Sequence, residues 1–283
     1  MHEKKIAVIG GDKRQKYLAD YFSLLGYKTV IFGAKNIPDT ASDLTDALSG
    51  AYAAVLPFPI SPDGVFLNAF CEDCNIRLSF LFSEIDRLSV SRIFGGLVTA
   101  PVSAEAEKYG IRIFDYGDVE EVKIKNALCT AEGAVEIALR ELPFTLSGSV
   151  CCVLGYGRIG RILSLRLRDF GAKVTVFVRR PEIAALVLTD SMNFSYNVPD
   201  ASVNADLIFN TVPAVLLNEK ILPKLKKNCL IIDLASAPGG VDFSEAEKLG
   251  INVIWARSLP GKTAPLTAAR IIADSVSAEL DKS

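Results

Sequence analysis

The chain has 283 residues, 50% of them hydrophobic and 23% charged, ordinary proportions for globular protein and enough length for two domains of usual size. A formal net charge of −2 leaves no basic excess to neutralise a run of phosphates, which argues against nucleic acid and for a small-molecule ligand. No stretch approaches the roughly 18 apolar residues of a membrane helix, and six cysteines are too few for a disulfide scaffold of this size, so no membrane contact and a cytoplasmic location are expected.

Residues 5–11, KIAVIGG, form a short apolar run ending in glycines, which predicts a strand rather than a signal peptide. A helical stretch follows over about 13–25, Gly26 stops it, and KTVIFG gives a second strand. The third strand, AYAAVLPF at 51–58, has its end fixed by Pro57 and Pro59. RIFGGL (92–97) and IRIFDYG (111–117) add two more strands, each after a helical stretch. Alternation of this kind buries a parallel sheet between helix layers.

Over 119–142 the pattern becomes one long helix, with Ile124, Leu128, Ala131, Val135 and Ala138 recurring at spacings of three and four, and such a helix can bridge two domains. The second half repeats the rhythm: SVCCVLG, a helix over 159–170, KVTVFVRR, DLIFNTVP, CLIIDLAS and INVIWAR. An apolar closing helix over 267–280 is expected to pack back on the first domain. The fold class read from this is α/β: two Rossmann-like, doubly wound parallel-sheet domains joined by a long interdomain helix. Residues 1–125, with the C-terminal helix at 265–283, are expected to form a substrate or partner domain, and 126–264 the dinucleotide-binding domain.

His2 is the only histidine. Its isolation removes Ser-His-Asp hydrolases, histidine metal sites and the histidine acid of the usual 2-hydroxyacid dehydrogenases. Cys71 and Cys74 form a lone C-x-x-C; without a second pair at matching spacing they read as small apolar residues on a helix turn. Cys151 and Cys152 read as strand core, and no metal site is expected.

Gly155-Tyr156-Gly157-Arg158-Ile159-Gly160 directly follows a predicted strand and opens a predicted helix, the placement that turns a common G-x-G-x-x-G into a dinucleotide signature. Gly155 permits the sharp turn, Gly157 lets the backbone approach a pyrophosphate, and Gly160 lets helix and strand pack closely. The diphosphate would lie at the positive end of the helix beginning near Arg158. About 20 residues beyond the glycines, where an NAD-binding protein usually carries a carboxylate for the ribose 2′-hydroxyl, the strand ends instead in Arg179-Arg180. A guanidinium can form two charge-assisted hydrogen bonds with a 2′-phosphate, so Arg179, helped by Arg180, selects NADP over NAD unless the pair is simply solvated charge. Thr211 and Pro213, in Asn210-Thr211-Val212-Pro213, and Asp233 stand at strand ends where ligands bind in such sheets.

For substrate, Gly10-Gly11-Asp12-Lys13-Arg14-Gln15 joins a strand to a helix without the three-glycine pattern, and suits a small anion better than a second nucleotide. Arg14 can clamp a carboxylate or merely sit on a solvated first turn; Gln15 lies beside it. On the long helix Asn126 and Thr130 share one face, with Glu132 two residues further along. Leu259-Pro260-Gly261-Lys262-Thr263-Ala264-Pro265 reads as a loop stiffened by two prolines, and Lys262 can supply a cation or a proton to a bound acid.

In chain order, GGDKRQ, LPFPIS at 56–61, NALCTAEGA at 126–134, GYGRIG, IIDLASAPGG at 231–240 and LPGKTAP together resemble the family of the dipicolinate synthase A subunit over nearly the whole chain. Only the glycine motif is common to many enzymes; the ordered set is far more specific. The resemblance implies oxidation of dihydrodipicolinate, derived from hydroxytetrahydrodipicolinate, to dipicolinate with NADP⁺, during sporulation in the mother-cell cytoplasm. It also implies a partner of flavoprotein-like fold, the dipicolinate synthase B subunit, in a two-subunit complex; a homo-oligomer is expected as well. It places Gly155, Gly157, Gly160 and Arg179 on the cofactor but transfers no catalytic residue. A small dicarboxylate needs cations or amide donors, for which Arg14 and Lys262 qualify, and without histidine Glu132 or Lys262 is the candidate proton acceptor. Two alternatives stay open: another NADP-dependent dehydrogenase of shikimate or 2-hydroxyacid type, and a non-catalytic NADP-binding regulatory protein.

Overall fold

The computed structural model describes residues 4–70 and 75–282; His2 and the Cys71/Cys74 pair lie outside the described residues. The chain divides into two compact units, Met1–Asn126 with Ala264–Ser283, and Ala127–Thr263. The first holds β1 (Lys5–Ile9), α1 (Arg14–Leu24), β2 (Lys28–Phe32), α2 (Leu44–Leu48), β3 (Ala51–Val55), α3 (Leu78–Arg87), β4 (Arg92–Gly95), α4 (Ala100–Glu107) and β5 (Ile113–Asp115). Helix α5 (Glu120–Glu141) starts there and runs on into the second unit. That unit continues with β6 (Val150–Leu154), α6 (Arg158–Asp169), β7 (Lys173–Phe177), α7 (Pro181–Thr189), β8 (Asn193–Ser195), α8 (Val198–Ser202), β9 (Leu207–Asn210), β10 (Leu230–Asp233), α9 (Phe243–Lys248), β11 (Asn252–Trp255) and α10 (Leu259–Thr263). Helix α11 (Pro265–Leu280) belongs to the first unit.

Both sheets are parallel. The first has strand order β2-β1-β3-β4-β5, the second β11-β10-β9-β6-β7-β8, the doubly wound orders in which ligands meet the strand ends where the winding reverses. Alternate residues of one strand feed two separate cores. On β1, Ala7 and Ile9 join the core under α2, α3 and α4, while Ile6 and Val8 join the one under α1 and α11. On β6, Cys151 and Val153 go one way, Cys152 and Leu154 the other. Burial on both faces is why these strands read as unbroken apolar runs instead of alternating ones. Helix α11 is held on α1 by buried Ala269, Ile272, Ala273 and Val276, and Tyr21 Oη donates to Asp274 Oδ1 at 2.8 Å. No helix of the described residues is long and apolar enough to cross a membrane.

Two local readings are corrected. Residues 259–265 are not a loop: α10 makes a helical turn in which Thr263 Oγ1 donates to Leu259 O at 2.9 Å, and Pro265 opens α11. Pro260 and Pro265 both sit in first turns, where a missing N–H costs nothing. Strand β4 stops at Gly95, short of position 97, because Leu97 turns to φ +60° and gives its N–H to Asp115 Oδ1 at 3.0 Å.

Between α2 and α3, the largely buried Glu84 accepts from Arg87 Nε at 2.8 Å and Nη2 at 2.6 Å, and from Thr45 Oγ1 at 2.6 Å. The Arg87 fork, then the Thr45 hydroxyl, hold its carboxyl down at about 2. A depressed acid stabilises above its unfolded pKa and stops doing so as pH falls through the folded one. The stability gap between wild type and Glu84→Gln should therefore be full at neutral pH and close between about pH 4.5 and 2. Urea midpoints across that range check this; a constant gap refutes it.

Candidate dinucleotide site

The site begins where β6 ends. Leu154 pairs with Phe177 of β7 on one side and Asn210 of β9 on the other, so the chain leaves the sheet at the point where winding reverses. Gly155 turns it at φ +97°, and a Cβ there would strike Thr211 Oγ1 at 2.7 Å and Val212 Cγ2 at 2.8 Å. A Cβ on Gly160 would fall 2.2 Å from Gly155 O, so that glycine serves helix-to-turn packing. Gly157 differs from both. Its φ is −81°, open to any residue, and a Cβ would meet nothing within 4 Å; no protein contact requires glycine there, and the open space above it is the cradle that a side chain would fill.

Helix α6 starts on Gly157 with no side-chain cap and no acidic residue in its first turn. The first N–H groups of a helix have no partner within it, and an opening of this kind offers them, with the helix dipole, to an anion. Around it lies a groove of about 630 Å³. Its floor is the 155–160 turn, including Arg158 and Ile159; one wall is Phe177, Val178, Arg179, Arg180 and Ile183, the other Thr211, Val212 and Pro213. Three arginines and no carboxylate line it. Arg179 is exposed and has no ion-pair partner among the described residues, whereas Arg180 Nε lies 3.3 Å from the exposed Glu182, a contact worth little in water. Thr211 directs its hydroxyl to Leu154 O at 2.8 Å, which pins the β9 end against the turn.

Asp233 does not reach the groove. It is fully buried and accepts from Asn210 Nδ2 at 2.8 Å, Ala235 N at 3.0 Å and Gly240 N at 2.8 Å. A buried carboxylate persists only with such donors, so the residue read as a cofactor contact instead holds Asn210. Asn210 in turn bonds Val212 O at 2.9 Å and Val212 N at 3.2 Å, shaping the wall from behind. Trp255, on β11, gives its Nε1–H to Ala235 O at 3.0 Å beside the Phe243 ring.

Other candidates fall elsewhere. Glu132 is exposed on α5 and lines a second groove, of about 570 Å³, with Val135, Leu139, Arg166 and Phe170, not the first. Lys262 is exposed on α10, which packs on α5 at Gly133, where a Cβ would lie 2.8 Å from Thr263 Oγ1. Asn126 and Thr130 are half-buried. In the first unit, Arg14 is buried and its guanidinium forks Asp12, Nε to Oδ1 at 2.8 Å and Nη2 to Oδ2 at 2.9 Å, and reaches Phe58 O at 2.8 Å. Burial opposes the Asp12 charge, but the Arg14 bonds outweigh it and keep the carboxyl below its ordinary range. Gln15 is buried on Ile9 O at 3.2 Å. Tyr156, Val178, Ile183 and Val212 line the groove without having been singled out in the sequence; for Ile183 the one signal is Pro181, which starts α7 and puts Ile183 on its first turn.

A family model for the N-terminal domain of the dipicolinate synthase A subunit matches residues 5–117, and one for the D-isomer specific 2-hydroxyacid dehydrogenase, NAD binding domain, matches 129–240, which encloses every residue of the groove. The dipicolinate synthase A subunit of Bacillus subtilis (strain 168) is 31% identical over 96% of this chain and 94% of its own. The crystal structure of the Bacillus halodurans A subunit of the same enzyme is 26% identical, with a TM-score of 0.84 over 98% of this chain and 97% of that one. That of the Bacillus subtilis enzyme's A chain gives 27% and 0.82, over 100% and 97%. The molecule is thus an oxidoreductase of dehydrogenase type whose cofactor is a nicotinamide dinucleotide.

The glycines should separate on mutation. Gly157→Ala is expected to cost no more than about 1 kcal/mol of stability, the ordinary penalty of alanine at an N-cap, while weakening dinucleotide binding by about tenfold or more, through lost close approach. Gly160→Ala should cost at least about 1–3 kcal/mol from its backbone clash. Thermal melts beside nucleotide titrations check both; a Gly157→Ala chain that binds like wild type contradicts the cradle.

Proposed function

The chain belongs to the family of the dipicolinate synthase A subunit, and from that premise we propose that it oxidises dihydrodipicolinate, derived from hydroxytetrahydrodipicolinate, to dipicolinate with NADP⁺. The observation that carries the cofactor choice is Arg179: an exposed guanidinium at the β7 end, in a groove lined by no carboxylate. A carboxylate there would repel a 2′-phosphate; Arg179 attracts it, with Arg180 adjacent. Gly155, Gly157, Arg158, Ile159 and Gly160 hold the diphosphate, and Thr211 and Pro213 form the wall along the dinucleotide. When bound, the nicotinamide accepts a hydride, and the substrate also loses one proton, leaving an aromatic ring.

The chain's own tasks are to orient the substrate and take that proton. Arg14, Gln15, Asn126 and Thr130 are the proposed substrate residues, Arg14 serving a substrate carboxylate only by sharing with or releasing Asp12. Glu132 or Lys262 takes the proton; a carboxylate accepts one directly, whereas an ammonium must first give one up. The family reading adds a partner, the dipicolinate synthase B subunit, and work in the mother-cell cytoplasm during sporulation; a homo-oligomer belongs to the proposal as well.

Wild type should reduce NADP⁺ when given freshly generated dihydrodipicolinate, alone or with the B subunit, as NADPH absorbance reports; binding without reduction would mark a regulatory protein instead. Arg179→Gln should lose roughly 1.5–3 kcal/mol of NADP binding, on the order of 10–100-fold, with NAD affinity little changed. A wild type that prefers NAD overturns the cofactor choice. For the proton, Glu132→Gln or Lys262→Met should slow turnover about 100-fold or more; if neither variant does, the base lies elsewhere.

A further inference from the structure

Both glycines of the Gly155-Tyr156-Gly157 turn lack a side chain with which to hold their shape, and glycine loses the most conformational freedom on ordering. Only Tyr156 between them has an anchor. Its ring belongs to the core cluster of the second unit, and its Oη donates to Asp190 Oδ2 at 2.6 Å. Asp190 directly follows the last residue of α7. Arg161 of α6 donates to the same carboxylate, Nε to Oδ2 at 3.0 Å and Nη2 to Oδ1 at 3.4 Å, and Arg168 Nη1 donates to Asp190 O at 2.7 Å. One carboxylate therefore ties the glycine turn to α6 and to the far end of α7, the helix whose near end carries Ile183 into the groove.

We propose that Tyr156 and Asp190 are positioning residues for the dinucleotide: the phenol-carboxylate bond pre-orders the glycine turn and fixes α7, so that the phosphate and adenosine ends of the groove are set before the ligand arrives. Ordering that is complete beforehand is not charged against binding. Neither residue touches the reacting atoms, and the inference rests on the dinucleotide reading above.

Tyr156→Phe keeps the ring and deletes only the hydroxyl. It should weaken NADP binding roughly fivefold to tenfold and raise the nucleotide KM by a similar factor, with kcat at saturating nucleotide unchanged. Asp190→Ala should do the same, and the double variant should be no weaker than the weaker single, because both remove one link. A merely structural bond would lower the melting temperature of the free protein and leave Kd and KM alone. That result, or additive losses in the double variant, overturns the proposal. If wild type binds neither nucleotide, the cofactor reading falls and this inference with it; if wild type binds and Tyr156→Phe binds within twofold of it, the inference alone falls.

Discussion

A helix cannot satisfy its own first N–H groups, and what an α/β chain does with that deficit decides whether a strand end becomes a ligand site. At α6 the N-cap is a residue with no side chain and the first turn has no acid, so neither capping nor local charge competes with an incoming anion. The sheet supplies the rest. Parting of the chain between β7 and β9 at the end of β6 opens the groove directly above that turn, and the arginines at its rim extend the positive field.

The first unit shows the same beginning put to another use. Its strand also runs into two glycines and a helix, yet Gly10 N and Gly11 N are bonded to Phe32 O at 2.8 Å and Asn68 O at 2.7 Å. The space over Gly11 is filled by Gln15 and Pro57, 2.9 and 3.1 Å from where a Cβ would stand. Asp12 accepts from Arg14 N at 3.1 Å, which puts a carboxylate where α6 has none. An acid at that position disfavours a phosphate, so the two halves share a winding rule while only one keeps its helix opening free for a dinucleotide.

Much of the fold is legible in the sequence because parallel strands buried on both faces have to be apolar without interruption, and KIAVI and VCCVL say so plainly. The glycine motif is legible for a similar reason: each glycine meets a steric demand set within a few residues of itself. What the sequence hides is partnership across distance. Arg14 looks like a free cation until Asp12 and Phe58 close on it, Asp233 looks like a ligand contact until Asn210, Ala235 and Gly240 turn toward it, and Tyr156 reads as filler until Asp190 arrives from 34 positions away. Short pieces such as β8 and α10 carry too few residues for a period to show, and their form is decided by what they pack against.

Trp255 gives the molecule a property unconnected with its chemistry. It is the only tryptophan in the chain, and the order β11-β10-β9-β6 sets its strand three inter-strand steps, ~15 Å, from the strand that leads into the glycine turn. Indole emits in the band where a reduced nicotinamide absorbs, so a reduced dinucleotide in the groove, unlike an oxidised one, would drain the excited state of this one fluorophore by dipolar energy transfer. With its N–H anchored on Ala235, the ring is also tethered to the segment that Asp233 braces. The protein thus carries a built-in optical gauge whose signal needs no deconvolution among several emitters.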